Sequence, residues 1–205
     1  GFNGYDSDGG VFSGKKGLRS GRQKGAESYV TDFDFAGRVS YFGMLGWNLG
    51  ASFYSGESET SDFGADSTQI DIQMTGVDAR YNNGNFQARA QYTVANLGNT
   101  QAYNAKTSND LGSVMTGYYF EVGYDVLQGN SDNKLILFGR YENFNTHDET
   151  EGFDANLAYD RTETTVGLTF KVADGAAFKM DYQLKGNEVL EEDSKQVNVG
   201  IAVGF

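Results

Sequence analysis

Two arginines, Arg80 and Arg89, flank the stretch Asn82-Asn83-Gly84. A turn of that composition folds a chain tightly back on itself. The two guanidiniums then sit opposite one another near the turn and repel unless Asp78 or an external anion lies between them. The fork of N–H donors on each suits a phosphate or a carboxylate. Both arginines belong to a wider set of charges that alternate with apolar residues. The cations are Arg38, Arg80, Arg89, Arg140, Lys171, Lys179 and Lys185; the carboxylates are Asp34, Asp71, Asp78, Glu121, Asp125, Glu142 and Asp181. A wall so balanced implies weak ion selectivity, and each charge has a plain alternative role in pairing across strands.

Other chemistry finds less support. His147 is the one histidine, it is expected in a long connection, and there is no Cys. Metal and triad chemistry therefore lack partners. No glycine-rich phosphate cradle stands between a strand and a helix. Neither catalytic residues nor a cofactor or metal is expected. A net charge of −12 argues against nucleic acid as a partner. Near the start, GKKGLRSGRQKG carries Lys15, Lys16, Arg19, Arg22 and Lys24 among glycines. It could fold into a pore and draw in anions; a solvated surface loop is the favoured reading. Acidic residues concentrate in ESETSDFGAD, HDETEGFD and EVLEEDSK. Those stretches either bind divalent cations or keep an outer surface hydrated.

The elements that must position these charges are strands. Apolar and polar residues alternate over nine segments: 31–42, 47–55, 67–81, 86–94, 117–126, 134–143, 164–172, 176–185 and 196–205. In the third the parity flips after Gly76: Ile70, Ile72 and Met74 give way to Val77, Ala79 and Tyr81. A β-bulge near Thr75–Gly76 is the expected cause. Short connections rich in Asn, Asp and Gly (43–46, 82–84, 128–133, 173–175) alternate strictly with long ones at about 55–67, 96–113, 143–158 and 186–194. No helical period is evident. No apolar run approaches the roughly 20 residues of a membrane-spanning helix.

Alternating faces, long strands and aromatics near strand ends (Tyr41, Trp47, Tyr81, Tyr118, Tyr141, Tyr182) fit an all-β transmembrane antiparallel barrel better than a soluble sandwich. In such a barrel the apolar face meets lipid and the polar face lines the lumen. Arg38, Asp78, Arg80, Arg89, Glu121, Arg140, Lys171 and Lys179 then become candidate pore-lining residues. Residues 32–205 form the barrel portion and 1–31 an extracellular loop segment. With short turns periplasmic, the last strand descends to the periplasmic rim and so does the first. Single-chain bacterial barrels have an even strand number, so an N-terminal part of the barrel is expected to lie upstream of Gly1.

Four stretches in order, GYYFEVGYDVL, LFGRYENFNTH, YDRTETTVGLTFKV and FKMDYQLKGN, resemble the C-terminal half of the porin O and P family, the so-called phosphate-selective porins. The resemblance covers about residues 77–205 and is most specific from 117 to 185. It implies a passive outer-membrane channel, general or mildly anion-selective, of about sixteen strands, assembled as a homotrimer amid lipid and lipopolysaccharide. The ending VGF looks like the signal such barrels present to the barrel assembly machinery, with Phe205 as its terminal residue. Two alternatives stay open: a barrel acting as scaffold or conduit for a bound protein, and a surface receptor or adhesin.

Overall fold

The computed structural model describes residues 1–6, 9–23, 32–60, 68–128, 133–173, 175–189 and 194–204. Phe205, Lys24 and the acidic stretches 61–67 and 190–193 lie outside the described residues. The dominant feature is one antiparallel sheet of nine strands: β3 (Phe35–Tyr41), β4 (Trp47–Glu57), β6 (Asp71–Asn83), β7 (Phe86–Gly98), β8 (Val114–Asp125), β9 (Lys134–Glu149), β10 (Asp160–Ala173), β11 (Ala176–Asn187) and β12 (Ser194–Val203). Every strand pairs with its neighbour in the chain order of the sheet, a plain meander. β3 and β12 are its two edges, so the sheet is open. Three much shorter strands, β1 (Asn3–Asp6), β2 (Gly9–Gly10) and β5 (Glu59–Thr60), make a separate small sheet.

All nine expected strands are present, several longer than alternation alone indicated. Hairpins close through compact turns in which Gly46 and Gly84 take positive φ, 80° and 57°. Only glycine adopts such angles without steric cost. Pairing fixes which side chains share a face. Leu168 lies opposite Leu137 and Met180, and Met180 opposite Val199. Phe120 lies opposite Ala90 and Tyr141. This apolar face is exposed: Val39 is 74% accessible, Phe120 54% and Val199 78%. Ring pairs line it near the short turns, with Trp47 4.8 Å from Tyr81 and Tyr81 6.0 Å from Phe86.

Three expectations need correction. Register runs unbroken through Thr75 and Gly76 on both sides of β6, so no bulge lies there. Ile72 and Met74 instead share the polar face with Asp78 and Arg80, while Asp71 and Gln73 sit on the apolar face. Asp71 therefore leaves the polar set: it lies opposite Glu57 and Gly98. The reason is tertiary. Residues 1–23 fold onto the polar face at the long-connection end and cover Ile72 and Met74 there.

The second correction is α1 (Thr100–Thr107), where the sequence shows no helical period. Its residues are mostly polar, and tertiary bonds hold it. Thr100 and Tyr103 are buried, and the Asn104 side chain both accepts from Leu111 N (2.7 Å) and donates to Leu111 O (2.8 Å). The third concerns His147, expected in a long connection. β9 runs on to Glu149, and His147 is 2% exposed on that strand.

Where the two faces differ most is at this end. Phe12, Ile70, Ile72, Ala95, Leu97, Tyr103, Leu111 and Met115 form a dry cluster, with Phe2, Tyr5, Val11, Leu18, Tyr54 and Met74 packed around it. Phe2 meets Tyr54 edge-on at 5.6 Å, and Phe12 lies 6.0 Å from Tyr103. The Tyr103 hydroxyl donates to Gly4 O (2.5 Å) and accepts from Phe12 N (3.1 Å), satisfying two backbone groups inside the cluster. Burial holds that hydroxyl above the ordinary tyrosine range.

Candidate functional site

All eight candidate pore-lining residues lie where the strand register can be followed directly, and all eight share the polar face. Arg80 pairs with Arg89, Arg89 with Glu121, and Glu121 with Arg140. One row across β6, β7, β8 and β9 therefore carries three guanidiniums and one carboxylate. Glu121 sits between two of them, 3.8 Å from Arg89 Nε and 3.6 Å from Arg140 Nε. Arg140 also lies 3.5 Å from Glu142 and stacks 5.0 Å above the Tyr119 ring. The guanidinium of Arg140 is thus held by two carboxylates and a π face at once.

Asp78 does not stand between Arg80 and Arg89, as one reading of the spacing had it. Its two oxygens accept from Arg38 Nη1 (2.6 Å) and Nη2 (2.9 Å) in a bidentate pair. Arg38 reaches it from β3, across β4. Only Gly50 of β4 makes room: a side chain there would collide with Arg38 Nη2 and the Asp78 carboxylate. Among the described residues no ion pair is recorded for Arg80, which leaves the Arg80–Arg89 pair as the least neutralised part of the row.

Lys171 and Lys179 converge with Arg89 and Arg140 on one concavity of about 660 Å³, whose lining runs from Gln87 on β7 to Ala202 on β12. Residues on strands that far apart line one space because the sheet curls toward its polar face. Glu121 and Asp181 are the carboxylates of that lining, and Gln87, Thr165, Thr169 and Gln183 supply neutral donors and acceptors. Asp181 accepts from Asn198 Nδ2 (2.7 Å). Asp125 is occupied too: its carboxylate accepts from the backbone N–H of Leu127 and of Leu135.

Three charged residues of the polar face escaped sequence reasoning. Lys134 lies opposite Lys171, Glu163 opposite Glu142 and Lys185, and Arg161 opposite Phe144. Each stands at or beyond the end of the clear alternation, where a strand's reach cannot be read from period alone. Once they are included and Asp71 is removed, cations exceed carboxylates on this face. The surplus is sharpest near the short turns, at Arg80, Arg89, Lys134, Lys171 and Lys179. The described polar face therefore carries a local surplus of positive charge at that end.

On the opposite end of the same face, residues 1–23 carry the other cations. Lys15, Lys16, Arg19 and Arg22 are exposed, while Phe12 anchors the segment. The stretch GKKGLRSGRQ thus lies on the polar face with its cations exposed. No group of three or more His, Cys, Asp or Glu side chains suited to a metal occurs among the described residues.

No protein-family model matches the chain. It is similar to an uncharacterized protein of Aquifex aeolicus, 24% identical over 189 residues. The match takes in 88% of this chain but only 43% of that relative's length.

Proposed function

We propose that this chain is part of an outer-membrane β-barrel that acts as a porin, passing small hydrophilic solutes or ions by diffusion, with a mild preference for anions. The observation that carries the reading is the division of one nine-stranded meander into an exposed apolar face and a charged, curled polar face. A soluble sandwich would turn its apolar face toward a second sheet. A barrel wall turns it toward hydrocarbon and keeps ionised side chains on water. Strands of 10–16 residues over most of the sheet are long enough for the roughly 9–11 that cross a bilayer at a tilt. Four sequence stretches that resemble the porin O and P family support the same reading.

In this arrangement Arg38, Asp78, Arg80, Arg89, Glu121, Arg140, Lys171 and Lys179 line the lumen. Residues 1–23 narrow it from the long-connection side. Lipid and lipopolysaccharide surround the barrel, the barrel assembly machinery inserts it, and a homotrimer is the expected assembly. The test is planar-bilayer recording of the full-length protein. Open, ohmic steps with a reversal potential displaced toward the anion side support the proposal. A correctly inserted protein that never conducts removes it and favours the scaffold or conduit alternative.

A further inference from the structure

Along β9 the polar face carries Phe138, Arg140, Glu142 and Phe144 in turn, and Tyr119 of β8 lies opposite Glu142. Three partly exposed rings thus stand on a face otherwise built of charges, amides and hydroxyls. Phe138 lies between two glycines, Gly123 of β8 and Gly167 of β10. Its ring edge occupies the space that a side chain at 167 would need, 2.8 Å from that Cβ position, so the ring lies down against the sheet. The Gln87 amide does the same over Gly123, at 2.6 Å. Ring and amide line the concavity of about 660 Å³, with Thr165, Thr169 and Gln183 around them. A second concavity, of about 300 Å³, opens over Gly117 toward the long connections, lined by Tyr119 and Phe144 with Gln91, Thr93 and Glu142. Each of its two rings carries a guanidinium, Arg140 on Tyr119 at 5.0 Å and Arg161 on Phe144 at 5.6 Å. Among the described residues no ring or guanidinium is recorded against Phe138.

Charges beside these rings are engaged with one another. Glu121 lies between Arg89 and Arg140, and Arg140 also meets Glu142. They therefore surround the rings with both donors and acceptors, while the cationic surplus lies nearer the short turns. A flat apolar floor rimmed in this way suits a solute that is apolar across the faces of its ring and hydroxylated around the edge. A pyranose has that form: its axial C–H groups lie on an aromatic face while its hydroxyls reach carboxylates, guanidinium forks and amides. An inorganic anion would use the guanidiniums but has nothing to lay on the rings. An apolar solute would leave the polar rim without partners. We propose that Phe138, Tyr119 and Phe144 form a saccharide track on the polar face. Phe138 and Gln87 make one subsite, and Tyr119, Phe144 and Glu142 make the other. Phe138 and Phe144 stand about 20 Å apart along β9 at ~3.4 Å per residue, so a linear oligosaccharide is the ligand that engages both.

Binding is independent of what the sheet encloses; that the track lies on a solute's path rests on the porin reading. The test therefore reads both on the full-length protein. Calorimetric titration in detergent micelles measures binding of maltotetraose and of cellotetraose, which differ in linkage. Planar-bilayer recording in KCl measures block of the current by the same sugars. Saturable binding of at least one is expected, with a saturable block at matching concentrations. Phe138→Leu, which keeps an apolar group over Gly167, should weaken binding about tenfold. Phe120→Leu, which removes a ring from the apolar face, should leave it unchanged. Should Phe138→Leu fail to fold, Tyr119→Leu reads the other subsite in the same way. No binding of either sugar, undiminished binding in Phe138→Leu and Tyr119→Leu, or an equal loss in Phe120→Leu overturns the track. Binding of glucuronate with neither neutral sugar bound also overturns it and assigns the rings to an anion site. Sugar binding by a protein that never conducts refutes the porin reading and leaves the track standing. Open channels without sugar binding refute the track and leave the porin reading standing.

Discussion

Replacing Leu168 by Arg tests the orientation on which the porin reading depends. Leu168 lies on the apolar face between Leu137 and Met180. From the short-turn end of β10 at Ala173 it stands five residues up the strand, about 17 Å at ~3.4 Å per residue. With strands tilted about 40°, that is a height of roughly 13 Å. An apolar band about 25 Å tall places this near its midplane. An arginine there should cost about 2–4 kcal/mol. Thr169, the next residue, lies opposite Ile136 and Lys179 on the polar face and lines the charged concavity. Thr169→Arg should fold with near-normal stability and shift ion preference further toward anions. Reversible urea unfolding of the full-length protein in lipid vesicles, followed by Trp fluorescence, gives both free energies. Equal tolerance at the two positions, or a greater loss for Thr169→Arg, refutes the assignment of faces to hydrocarbon and water.

Further expectations follow from the polar face and the docked segment. Arg89→Gln removes one of the two guanidiniums flanking Glu121 and thins the cationic surplus near the short turns. The reversal potential in a KCl gradient should move toward the cation side, and an unchanged value would count against a lumenal Arg89. Tyr103→Phe leaves Gly4 O and Phe12 N without their partner in a dry cluster, which should weaken docking of residues 1–23 by about 1–3 kcal/mol. Hydrogen exchange at Phe12 reads the loss. Burial raises the Tyr103 hydroxyl, and it raises that of Tyr159, where the bond to Asp110 adds to the effect. Both groups therefore favour the docked form while protonated. Their contribution is complete below the ordinary tyrosine range near about 10 and is lost as pH rises through the raised values. Tyrosinate absorbance should accordingly develop late in the docked protein, together with loss of near-ultraviolet circular dichroism. Early titration of all tyrosines would contradict the buried cluster.

What period alone determined is considerable. A side chain on a strand must point opposite to its neighbour, so alternation from Phe35 to Val203 marked nine strands, the hairpin turns between them and, outside residues 71–74, which residues share a face. The Arg80–Arg89 juxtaposition followed from an Asn-Gly turn and nothing else. Three things were decided only by tertiary structure, each because a distant segment supplied the partner. Residues 1–23 lie on the polar face, so Ile72 and Met74 are apolar there by burial rather than through a bulge, and the apparent parity flip records that cover. α1 is held because Tyr103 finds partners on the remote backbone of Gly4 and Phe12, not because its own residues show a helical period. His147 looked isolated in the sequence, since its ring partners, Asp110 O and Asn156 N–H, are backbone groups that leave no pattern of residue types. Local periodicity sees a strand's two faces, but it cannot see what is laid upon one of them.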